Sequence, residues 1–194
     1  MANIMAFLLQ YLGIFSLILI VIIGFFMVRK DPDSDHASIS SYAGSEKSQS
    51  QLAFLALIVS SIPFYLWIVF WLIPQYQLSV VLYPFLAVSF ICHLLLIRFP
   101  LIPSNGRKHV GNLLHLGAGS VIAISMLGLL VAVGLSPVIE NMLASKVVVL
   151  SSALYMFSCL FAYMVTREQK YFFVFEVIYI VLFAVSIGVI TFRI

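Results

Sequence analysis

Charge is what this chain has least of. Ten Lys and Arg and seven Asp and Glu amount to 9% of its 194 residues, where a soluble domain carries roughly 25%. That scarcity excludes a water-soluble globule. The basic residues are spread thinly at the ends of apolar blocks, with no stripe or patch, so nucleic acid is excluded as a partner. Cysteine is nearly as scarce. Cys92 and Cys159 both lie inside apolar blocks, with no CxxC or Cys/His spacing, so zinc-ribbon and redox-motif readings have no support. They read as small core hydrophobes. No HExxH or HxxxH motif occurs and no cofactor is implied. The first apolar run has no basic stretch before it and no small-residue cleavage site after it. It continues to Met27, too long for a signal peptide's apolar core, and reads as a retained span. No internal repeat is present, which disfavours an inverted-repeat transporter.

What is abundant is apolar sequence, 63% of the chain. At 1.5 Å per residue, about 20 apolar residues cross the ~30 Å hydrocarbon layer. Six blocks qualify, at 4–28, 52–73, 78–97, 110–135, 147–166 and 171–192, the third marginally, since 80–97 is short without Leu78 and Ser79. They are continuous runs rather than short alternating segments, which points to helices and not to a β-barrel. The expectation is an all-α fold: one domain, 1–194, a polytopic transmembrane bundle of six membrane-spanning helices. The stretches 74–78 and 167–170 are tight turns, so spans two and three, and spans five and six, are antiparallel neighbours. Ser136 followed by Pro137 has the form of a helix cap and first position, predicting a turn of helix within 136–145. Ser45 is a candidate cap for the second span.

Basic residues orient the bundle. Arg29, Lys30, Lys47, Arg98, Arg107, Lys108, Arg167 and Lys170 fall in the first, third and fifth loops, while Lys146 and Arg193 fall on the other side. The positive-inside rule then puts those three loops in the cytoplasm. The expected location is a cell membrane, multi-pass, with both termini on the non-cytoplasmic side.

Ionisable groups inside apolar spans mark candidate sites, because each costs free energy on insertion. Three lie at one depth. His93 stands four residues before the end of span three, His115 five residues into span four and Glu176 five residues into span six. Each is roughly 6–8 Å from a helix end, and all three ends face the cytoplasm in this topology. Asn112, three residues before His115, shares its helix face. His93, Asn112, His115 and Glu176 are therefore the candidates for a polar cluster or ligand site. Arg98, Arg107 and Lys108 are the candidates for headgroup contact. A metal site has little spacing support: His109 and His115 are six apart and do not converge on a helix.

Other polar and aromatic positions have structural readings. Ser60 and Ser61 precede Pro63 and are placed to satisfy backbone groups freed by that proline. Ser151, Tyr155, Ser158 and Ala162 recur on one face of span five, as in a helix-packing seam. Trp67, Trp71, Tyr76 and Tyr83 fall near one end of their spans, as in an interfacial aromatic belt.

Several of these features occur in a fixed order. Ile39, Ser40, Ser41 and Gly44 follow the first span, Phe99 and Pro100 follow the third, and His115 opens the fourth. In this the chain resembles the six-span membrane proteins of domain-of-unknown-function family 998, and more loosely the DRAM/Frag-like superfamily. The likeness covers the N-terminal two thirds. An Asp common after the family's Phe-Pro is replaced by Leu101, so an acidic partner for His115 has to come from elsewhere, with Glu176 as the candidate. The resemblance implies the fold and no settled activity.

The functional expectation is an integral membrane protein, without a catalytic signature, that binds or organises membrane lipids through a His/Glu cluster near the cytoplasmic face. The alternatives are a small proton-coupled transporter and a membrane-embedded lipid hydrolase using the same cluster.

Overall fold

The structure, a computed structural model, describes residues 2–29, 48–99, 110–166 and 172–192. Helices form at each of the six apolar blocks, and no strand occurs among the described residues. Helix α1 spans Ala2–Arg29, α3 Leu82–Arg98, α4 Val110–Gly134, α5 Leu143–Thr166 and α6 Phe172–Phe192. Helix α2 is composite. It runs through Ser48–Trp67, widens into a π-helical turn at Ile68–Leu72 and closes with Ile73–Gln75. Pro74 stands one residue beyond that turn, after Ile73, and has no N–H for the α-helical ladder. The register slips there, with Ile73 N–H donating to Ile68 C=O, five residues back.

Each helix packs on its neighbours in sequence and α6 packs on α1, so the six close into a ring in chain order. The three hairpins α1–α2, α3–α4 and α5–α6 form the most extensive contacts, and the α2–α3 and α6–α1 seams are less extensive. Ser136 caps the short Pro137–Ile139 turn between α4 and α5, its hydroxyl accepting the Val138 N–H at 3.2 Å.

One end of the ring, where α2 meets α3 and α4 meets α5, is densely packed. Trp67, Ile68, Leu72, Leu130, Val133, Val149 and Ile190 are all fully buried there. The backbone carbonyls left over at the helix ends find side-chain donors at this same end. Gln10 Nε2 donates to Thr191 C=O at 3.0 Å, Tyr76 OH to Ile190 C=O at 2.8 Å, and Ser136 OH to Tyr76 C=O at 2.6 Å. Gly134 permits α4 to approach α5, since a β-carbon there would stand 2.4 Å from Leu150 Cδ2.

Two sequence expectations are corrected here. Trp67, Trp71 and Tyr76 are buried in the core rather than set in an aromatic belt, with Trp67 and Trp71 stacked at 5.4 Å; Tyr83 does stay exposed. The expected seam on span five faces outward: Ser151, Tyr155 and Ser158 are exposed, while Ser152, Ala153 and Met156 pack inward. Both errors concern which way a helix faces. Helices that are apolar all round carry little periodicity from which to read that.

Candidate functional site

Each helix turns a polar side chain inward. Ser16 of α1, Ser60 and Ser61 of α2, Ser89 of α3, Asn112 and His115 of α4, Ser152 of α5 and Ser186 of α6 are buried. Each helix also turns a large apolar side chain outward. Phe15, Phe70, Phe85, Ile124, Phe157 and Val181, one from each helix, are 53–60% exposed. The interior is mainly apolar with these small polar groups set into it, while the outer face, which in a soluble bundle is polar, carries large apolar side chains.

Several inward polar groups are tied across helices or within them. Ser16 OH donates to Ser60 C=O, one turn before Pro63, and joins α1 to α2. Tyr179 OH donates to Ala123 C=O and joins α6 to α4. Ser186 OH donates to Leu182 C=O within its own helix at 2.9 Å.

The two histidines singled out from the sequence sit in separate arrangements. His93, half-buried on α3, points toward α2. The Tyr65 hydroxyl stands 2.7 Å from His93 Nδ1 and 2.8 Å from Ser89 Oγ, and the His93 and Tyr65 rings meet edge to face at 85°. Ser89 and His93 are four residues apart, one turn of α3, so one hydroxyl from α2 bridges both. A phenol has a single hydrogen, so Tyr65 donates to one neighbour and accepts from the other.

His115, buried on α4, reaches back along its helix. Its Nδ1 lies 2.7 Å from the Phe99 carbonyl oxygen at the C-cap of α3. A carbonyl only accepts, so Nδ1 carries the hydrogen and the ring closes off one orphan carbonyl of α3. Among the described residues no hydrogen bond joins His93 to His115. Asn112 is buried one turn before His115. The Glu176 side chain lies outside the described residues, although its backbone belongs to α6.

Of the headgroup candidates, Arg98 is exposed at the last turn of α3, its guanidinium 5.6 Å from the centre of the Phe99 ring. Arg107 and Lys108 lie outside the described residues, as does Ser45. No group of three or more His, Cys, Asp and Glu side chains placed to hold a metal ion occurs among the described residues.

Sequence reasoning missed Tyr65 and Ser89. The signal for Ser89 was present in its spacing of four from His93. Tyr65 carried no such signal, because it is near His93 only through the packing of α2 on α3. Comparison with family models, with curated proteins and with solved structures finds no match to this chain.

Proposed function

We propose that this chain is a six-span integral membrane protein that binds or organises lipid through a polar interior open toward its cytoplasmic end. The carrying observation is the apolar exterior: an outward large apolar side chain on every helix, with polar groups among the buried residues instead. An apolar exterior of that extent is unfavourable in water and favourable against lipid. Two helical segments, Val110–Gly134 and Leu143–Ala162, are long and apolar enough by themselves to cross a bilayer. The 25 residues of α4 reach roughly 37 Å.

Large apolar side chains fill the ring where α2 meets α3, while His93, Asn112 and His115 lie toward the helix ends beside most of the basic residues. This supports a one-sided site better than a path through the membrane. With loops one, three and five in the cytoplasm, both chain ends lie outside. The bridged Ser89–Tyr65–His93 hydroxyl and imidazole groups favour a proton-coupled carrier as the second reading, since such a chain can hand a proton along.

Fusion of a cytoplasm-active reporter after Ile194 is expected to be silent, and a periplasm- or lumen-active reporter at the same place is expected to be active. Alkaline carbonate is expected to leave the protein in the membrane pellet. Release into the supernatant would overturn membrane embedding, and an active cytoplasmic reporter would overturn the orientation. Proton flux into liposomes carrying the purified protein, lost in Tyr65→Phe, would favour the carrier over lipid binding.

A further inference from the structure

The outer faces of the helices are apolar almost throughout, and the exceptions gather on α5. Ser151, Tyr155 and Ser158 are exposed at spacings of one turn, Tyr155 by 64%. Ser158 OH donates to Leu154 C=O of its own helix at 2.9 Å, as Ser120 and Ser125 of α4 do to Leu116 and Val121 C=O. Ser151 and Tyr155 have no hydrogen bond among the described residues. Tyr155 stands eleven or twelve residues from either end of α5, about 17 Å from each at 1.5 Å per residue. In a bilayer that is the middle of the ~30 Å hydrocarbon layer, too deep for the side chain to reach water or headgroups. Lipid tails offer a phenol nothing to bond. A hydroxyl left there is unfavourable until another protein surface meets it.

The same face has a period of seven. Ala144, Ser151 and Ser158 are small, Val147, Leu154 and Phe161 are large, and all six are exposed. Small and large residues alternating at steps of three and four fit the a and d positions of a left-handed helix pair. A helix that met only lipid would have no need of that register. Resting on the membrane reading above, we propose that the outer face of α5 is the interface of a two-fold dimer of this chain, with reciprocal Tyr155–Ser151 hydrogen bonds at the centre of the bilayer. Two copies in one membrane run in the same direction, so α5 meets α5 in parallel and each residue of the seam packs on its counterpart. Helical side chains lean toward the N-terminus. Tyr155, beside the seam, therefore leans toward Ser151 of the second copy, one turn earlier, and the two-fold axis makes that bond twice. Glu140 and Lys146, at the head of α5, form no ion pair among the described residues. The axis sets those ends of the two chains together, where the patch carries both signs of charge, as a self-complementary interface requires.

The test is a cysteine scan of the full chain in isolated membranes, with Cys92→Ser and Cys159→Ser as background. Oxidation is expected to give disulfide-linked dimers for Ser151→Cys, Leu154→Cys, Ser158→Cys and Phe161→Cys. None is expected for Met156→Cys, which faces the core, nor for Phe15→Cys, equally exposed on α1. Cross-linking of Phe15→Cys as strong as that of Leu154→Cys is collision in the membrane and overturns the proposal. So does a product of another mass, which marks a different protein on this face. In liposomes at low protein density, single-molecule photobleaching is expected to count two copies. Tyr155→Phe is expected to weaken the dimer about tenfold through the two lost bonds, and Ser151→Ile to abolish it by crowding the seam. A cooperative melt in detergent shows that each variant has folded, and should either fail to fold, the cysteine scan decides. Single copies in wild type, or an undiminished dimer in either folded variant, overturn the proposal. A monomer that stays in the membrane pellet sinks this inference alone, whereas release by carbonate sinks the membrane reading beneath it.

Discussion

Trp67 lies directly over Gly13: a β-carbon at position 13 would stand 2.5 Å from Trp67 Cδ2. The indole N–H donates to the Gln10 carbonyl of α1 at 3.1 Å, one turn earlier. The same ring stacks on Trp71 and on Phe64. Position 13 therefore sets how closely α1 and α2 approach at the densely packed end of the ring.

Gly13→Ala is expected to lower stability by about 1–3 kcal/mol through overpacking, read as a lower Tm of the protein in detergent. In a helix interior the same change ordinarily stabilises by about 1 kcal/mol. Gly117→Ala and Gly128→Ala, where a β-carbon meets nothing within 4 Å, supply that baseline and are expected to raise Tm slightly. A gain at position 13 equal to theirs would contradict the contact.

The exposed Gln77 has φ +50°, and its neighbours close a helix end in which Leu78 N–H donates to Ile73 C=O at 3.0 Å and Gln77 N–H to Pro74 C=O at 3.3 Å. This is the Schellman arrangement, with glutamine at the left-handed position where glycine is usual. Gln77→Gly is expected to stabilise by about 1 kcal/mol and Gln77→Val to destabilise. Thermal melts followed by circular dichroism check the pair, and a ranking with valine above glycine would refute the turn.

His115 separates by isostere. The side-chain nitrogen of asparagine falls near the place of an imidazole Nδ1, whereas that of glutamine falls near Nε2. If the bond to the Phe99 carbonyl is the residue's contribution to stability, His115→Asn holds Tm near wild type. His115→Gln and His115→Ala then lose about 1–3 kcal/mol, leaving the carbonyl unpaired. Equal losses in all three would remove the α3 cap from the account.

Ser145 Oγ and Thr191 Oγ1 are buried without a hydrogen-bond partner among the described residues. An unsatisfied buried hydroxyl costs free energy that an apolar isostere does not. Thr191→Val and Ser145→Ala are expected to leave Tm unchanged or to raise it. A fall of several degrees in either would mean that the hydroxyl holds a bound water or another partner.

Much of this protein is determined by sequence alone, because a bilayer-length apolar run is a one-dimensional property. The observed α4, Val110–Gly134, and α6, Phe172–Phe192, fall within a residue or so of the blocks read at 110–135 and 171–192. Depth is legible for the same reason: a fixed rise per residue puts His93 and His115 at matching distances from their helix ends. Facing is not. Where both the core and the outer faces of the helices are apolar, hydrophobic periodicity does not say which side of a helix turns inward. Tertiary packing alone therefore took Trp67, Trp71 and Tyr76 into the core and turned Ser151, Tyr155 and Ser158 out of it. It alone also chose the partners of the histidines, the Tyr65 hydroxyl for His93 and the Phe99 carbonyl for His115. Those pairings depend on which helices are neighbours and on their azimuth, and neither is written in the spacing of residues along one chain.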